Sequence, residues 1–119
     1  MDSIRQQQVA KIIQQGVSDV FLHRGSELYG RAFVTITQIK MTPDLFIARV
    51  YLSVYNVEDK QAVVDGIQRN TLAIRGLVGR KIKNKVRRIP EFNFYLDDTL
   101  DEVFKIDNLF KKLKDDKEL

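Results

Sequence analysis

The residues best placed to do chemistry in this chain are cations. From Gly79 to Phe92 it reads GRKIKNKVRRIPEF, with Arg80, Lys81, Lys83, Lys85, Arg87 and Arg88 all preceding the first acid, Glu91. The acid-free interval reaches back to Asp65 and takes in Arg69 and Arg75 as well. Closely spaced Lys and Arg displace counterions from phosphates, so such a segment is the electrostatic footprint of a nucleic-acid binder. A solvated basic face with no ligand is the bland alternative. The charge is segregated along the chain: from Asp97 onward acids outnumber lysines, although the formal net charge is +4.

Other reactive side chains are isolated. His23 is the only histidine and has no patterned partner, which points to a surface loop and not to a base or ligand. Asp97, Asp98, Asp101 and Glu102 cluster, but at the start of an amphipathic run. Acids there cap free amides and favour the helix dipole, so catalysis is the weaker reading. With no cysteine there is neither a disulfide nor a thiolate metal site. No nucleotide-binding loop is visible, so no catalytic residue, metal or cofactor is expected. The 119 residues suffice for one core and one domain, over residues 1–114, with a disordered tail at 115–119. No apolar run approaches the length of a membrane span, and the chain starts without a signal-peptide pattern. This composition fits a cytoplasmic protein.

The elements that must hold the cations can be read from periodicity. Val9, Ile12, Ile13, Gly16, Val20 and Phe21 recur at helical spacing, Ser3 and Gln6 make a capping box, and the glycines from His23 to Gly30 predict a loop. Two strands follow, Phe33 to Met41 and a run in which Phe46, Ala48, Val50, Leu52 and Val54 share one face. Thr42-Pro43-Asp44 between them predicts a turn and an antiparallel hairpin. Asn56 is a candidate cap for the next helix, which carries Val63, Val64 and Ile67. A further helix carries Ile74, Leu77, Val78 and Ile82, with a kink expected near Asn70 and Thr71. Pro90 ends the basic segment, and Phe92 to Leu96 alternate as a short strand. Thr99 and Glu102 would cap a last helix carrying Leu100, Val103, Ile106, Leu109, Phe110 and Leu113.

The expected architecture is therefore α+β: three strands, with the helices covering one face. The kink and basic segment would present Arg69, Asn70, Thr71, Arg75, Arg80, Lys81, Lys83, Lys85, Arg87 and Arg88, and Arg5 and Lys11 on the first helix would extend that surface. Such contacts position a protein on a phosphate backbone without reading sequence. Phe92 and Phe94 belong to the core, while Tyr95, with Tyr51 and Arg49, faces away and either touches RNA or covers the sheet.

Two stretches resemble a known family. VTITQIKMTPDLFIARVYLSV is similar to the strand-turn-strand signature of bacterial ribosome-binding factor A, and IRGLVGRKIKNKVRRIPEFNFYLDDTLDEVFKIDNLF resembles its second signature. Together they extend the resemblance over roughly Ser3 to Leu113. It implies a type II KH-like fold in the order α-β-β-α-kink-α-β with a C-terminal helix. It also implies a non-catalytic maturation factor of the small (30S) ribosomal subunit, which binds 16S ribosomal RNA beside ribosomal proteins. Such a factor assists late folding and processing and is often needed for growth in the cold; a monomer is the default expectation for the free chain. The reading from another class is a KH-like or protein-interaction module with a different ribonucleoprotein or acidic partner.

The chain departs from that family at the kink. No Ala-x-Gly stands near Asn70-Thr71-Leu72, Gly66 to Gly79 is about one helical turn short, and the basic stretch before Pro90 is longer. Gly76-Leu77-Val78-Gly79 matches the Gly-x-x-Gly of KH loops, but Leu77 and Val78 continue a helical pattern, which favours a packed helix.

Overall fold

The computed structural model describes residues 2–97, in the order α1 (Ile4–Tyr29), β1 (Phe33–Met41), β2 (Ile47–Tyr55), α2 (Lys60–Arg69), α3 (Thr71–Ile82) and β3 (Glu91–Leu96). The expected C-terminal helix and the 115–119 tail lie outside the described residues.

The α1 helix starts where its cap pattern places it. Ser3 Oγ accepts from Gln6 N–H at 3.0 Å, and Gln6 Oε1 accepts from Ser3 N–H at 2.7 Å. Gln6 is buried because its amide also donates to Met41 O at 3.0 Å, which ties the start of α1 to the end of β1. The helix runs past the expected loop at His23. Gly25 is helical and buried under the Tyr29 ring, and only Gly30, at φ 69°, reaches a left-handed conformation and ends the element. His23 is accordingly an exposed helical residue, donating from Nδ1 to Asp19 O at 2.8 Å, and not a loop residue.

The hairpin pairs antiparallel, from Phe33 opposite Tyr55 to Met41 opposite Ala48, with a register shift between Ile36 and Gln38. The extra residue, Thr37, sends its hydroxyl to Asp97 Oδ2 at 2.6 Å. Leu45 N–H closes the turn on Thr42 O at 2.9 Å, and Leu45 takes φ 63°. That left-handed residue swings Phe46 out of the strand pattern: it is 47% exposed, whereas the sequence sets it beside Ala48 in the core. β3 joins the far edge of β2 in parallel, so the sheet order is β1-β2-β3.

Ala48, Val50, Leu52 and Val54 meet Phe92 and Phe94 on the covered face, under the buried stripes of α1, α2 and α3. The described helices lie on that face, as expected. Asp59, not Asn56, caps α2, accepting from Ala62 N–H at 3.0 Å, while Asn56 sits at φ 67° beyond β2. The kink is one residue, Asn70, at φ −95° and ψ 14°.

Candidate nucleic-acid interface

The basic segment is anchored to the fold. Ile82 and Val86 are buried, Ile89 packs against the core, and Pro90 is fully buried. Between these anchors Lys83, Lys85, Arg87 and Arg88 are exposed. Lys85 N–H and Val86 N–H both bond Ile82 O, at 2.8 and 3.3 Å, which curls the chain back after α3. Apolar residues spaced three to four apart thus hold the intervening cations outward. Arg80 and Lys81 occupy the last turn of α3, where positive charge also favours the helix dipole. Among the described residues no acid pairs with Arg80, Lys81, Lys83, Lys85 or Arg87.

The side chains at and after the kink hydrogen-bond within the fold. Arg75 Nε donates to Pro90 O at 3.1 Å and its Nη2 to Ile89 O at 2.7 Å. Thr71 Oγ1 donates to Phe92 O at 3.1 Å, and Asn70 Nδ2 donates to Gly66 O at 3.2 Å. Gln68 accepts from Phe94 N–H at 2.8 Å and donates to Phe92 O at 3.4 Å. Side chains of α2 and α3 therefore satisfy the free edge of β3, which would otherwise expose unpaired backbone groups. Gln68 gave no signal in the sequence, because its partner is fixed by where β3 lies. Arg69 is exposed at the end of α2, and Leu72 projects beside the kink at 79% exposure. Gly76 and Gly79 are helical; Gly79 lets the Ile89 side chain approach, and Gly76 faces open space. The short motif is thus part of a helix and not a loop.

Arg5 and Lys11 are both exposed on α1. Arg5 shares a cleft with Arg87 and Arg88 beside the hairpin turn, while Lys11 does not line it. Arg88 lies over the Phe46 ring, 4.1 Å from its centroid, a cation–π contact that fixes the end of the basic segment. The parallel register causes this meeting: Glu91 N–H bonds Phe46 O at 2.8 Å, so the residues before β3 abut those before β2. On the face of the sheet that no described helix covers, the Tyr51 and Tyr95 rings stack at 5.4 Å, and the adjacent Lys40 and Arg49 are exposed. No group of three or more His, Cys, Asp or Glu is placed to hold a metal among the described residues, and no described helix is long and apolar enough to cross a membrane.

The fold has known counterparts. A crystal structure of ribosome-binding factor A from Thermus thermophilus superposes with TM-score 0.63 at 11% identity, covering 76% of this chain and 94% of that one. A Thermus thermophilus homology model fitted into a cryo-EM map of a complex of the 30S subunit with ribosome-binding factor A superposes with TM-score 0.55 at 13% identity, covering 82% and 96%. At such identities the likeness shows the fold. In sequence, ribosome-binding factor A of Cytophaga hutchinsonii is 42% identical over 113 residues, which is 95% of this chain and 85% of that protein. The Chlorobaculum parvum protein of the same name is 36% identical, over 94% and 92%. The profile of that family spans residues 5–110, from Arg5 across all three strands and the basic segment. By fold, by sequence and by the extent of the match, the chain belongs to the ribosome-binding factor A family.

Proposed function

We propose that this protein binds 16S ribosomal RNA in the assembling small subunit and assists its late folding and processing without catalysing a reaction. The observation that carries this is the anchored cationic segment from Arg80 to Arg88, in which Arg80, Lys81, Lys83, Lys85 and Arg87 pair with no acid among the described residues, in a chain whose family is named for ribosome binding. The fitted 30S complex of the Thermus thermophilus protein supports the small subunit as the partner. Arg80, Lys81, Lys83, Lys85, Arg87 and Arg88 contact phosphates, with Arg69 at the kink and Arg5 and Lys11 extending the surface. Asn70, Thr71 and Arg75 act mainly by setting the kink and the path into β3. The protein works by preferring one RNA conformation, which shifts the population of folding intermediates toward it. It acts in the cytoplasm as a monomer, and its absence slows growth most in the cold.

The test is binding to immature small subunits. A Lys81→Gln, Lys83→Gln, Lys85→Gln variant with an unchanged melting profile should bind at least tenfold more weakly at moderate salt. Equal affinity of variant and parent would overturn the proposal. Binding of the parent that ignores salt would favour a protein partner instead.

A further inference from the structure

At the hairpin end of the molecule lies a cleft of about 500 Å3, within the usual range for ligand sites. Its floor is apolar, built from Val9 of α1 and Val86 of the basic segment. One wall is Leu45 and Phe46 from the turn, and three guanidinium groups, those of Arg5, Arg87 and Arg88, edge it. The one acid, Asp44, already accepts from the Thr42 hydroxyl at 2.6 Å and from Phe46 N–H at 3.0 Å. The aromatic wall is open to a ligand, since Phe46 keeps 47% of its surface exposed although Arg88 is stacked on its ring.

A flat apolar surface beside several cations is what an unstacked nucleotide requires. Bases stack on aromatic rings and on guanidinium planes, and the flanking phosphates need cations a few ångströms away. A neutral apolar ligand would leave the three arginines unused. The cleft also adjoins Lys83 and Lys85 along the chain, so a strand following the basic segment arrives at it. We propose that this cleft receives a single unstacked nucleotide of the bound RNA, its base on the Phe46–Arg88 pair and its phosphates on Arg5 and Arg87. The inference rests on the RNA-binding reading above and adds to it a base contact from α1 and the turn.

The test compares two single-stranded oligoribonucleotides of about ten residues, one carrying bases and one abasic with the same phosphates. The parent protein should prefer the base-bearing strand by about tenfold, in line with the stacking of one base. Phe46→Ala should abolish the preference while binding the abasic strand as the parent does, and Phe46→Tyr should retain it. A merely structural role for Phe46 predicts instead an equal loss for both strands. A preference that survives Phe46→Ala places the stacking elsewhere, such as at Tyr51 and Tyr95, and overturns the inference. So does a parent that shows no preference or binds neither strand. If the parent also fails to bind immature small subunits, the RNA-binding reading itself falls.

Discussion

Arg75 shows how a charge legible in the sequence can have an illegible task. Its place in an acid-free stretch suggests a phosphate contact, yet its guanidinium bridges Ile89 O and Pro90 O. Spacing reveals that a cation is present; only the register of β3 reveals the carbonyls in front of it. Charge-assisted hydrogen bonds of this kind contribute about 1.5–3 kcal/mol. Arg75→Gln should therefore lower stability to denaturant by about that amount while leaving the salt dependence of RNA binding unchanged. A shallower salt slope with unaltered stability would reassign Arg75 to the RNA. Asp44 gives the turn a dependence on pH. The Thr42 hydroxyl, then Phe46 N–H and more weakly Arg88, hold its carboxyl below the usual carboxylate range. A group whose folded pKa is depressed stabilises the fold above its unfolded value, about 3.9, and loses that contribution as pH falls through the folded value. The parent should thus exceed Asp44→Asn in denaturant midpoint by a constant margin from pH 7 to about 5, and the margin should close toward pH 3. A margin independent of pH would mean that the carboxylate's charge is not what holds the turn.

At the scale of elements, packing decides what periodicity alone leaves open. β-Branched and aromatic residues mark the first hairpin strand, and a period of two marks the second, because alternate burial on a one-sided sheet leaves that pattern. Phe46 continues the alternation in sequence but lies across Leu45, whose left-handed backbone breaks it. The end of α1 lies beyond the loop that the glycines predict, for a related reason. A glycine can mean a stop or a close approach, and Gly25 is the second kind, lying under Tyr29. Gly16 is another. A β-carbon there would stand 3.0 Å from both Val78 Cγ1 and Ile82 Cγ2, so α1 and α3 cross at that point. Overpacking a core costs about 1–3 kcal/mol, and the better helix propensity of alanine returns about 1. Gly16→Ala should be a net loss of about 1 kcal/mol by chemical denaturation. Gly76 faces open space, so Gly76→Ala should stabilise by up to about 1 kcal/mol without weakening RNA binding. A clear loss of RNA affinity in Gly76→Ala would restore Gly-x-x-Gly as a phosphate clamp.

For the whole molecule, the question is whether net charge or its placement governs binding. The described residues carry fifteen Lys and Arg against nine Asp and Glu, a net charge of +6. Chain topology sorts them. The parallel entry of β3 beside the start of β2 brings the end of the basic segment to the hairpin turn and to the first turn of α1, so Arg5, Arg87 and Arg88 line one cleft. Arg31 and Lys60 belong to the opposite end of the sheet, where Phe33 pairs with Tyr55. Two double variants with the same change in net charge separate the alternatives: Lys83→Gln with Lys85→Gln, and Arg31→Gln with Lys60→Gln. Each phosphate contact to a single strand contributes about 0.7 to the slope of log affinity against log salt. If placement governs, the first pair should flatten the slope by about 1.4, and the second should leave it within error while slowing association slightly at low salt. If net charge alone governs, the two variants should be indistinguishable at every salt concentration. The cationic segment would then be a solvated face, and its anchoring by Ile82, Val86 and Pro90 would serve the fold alone.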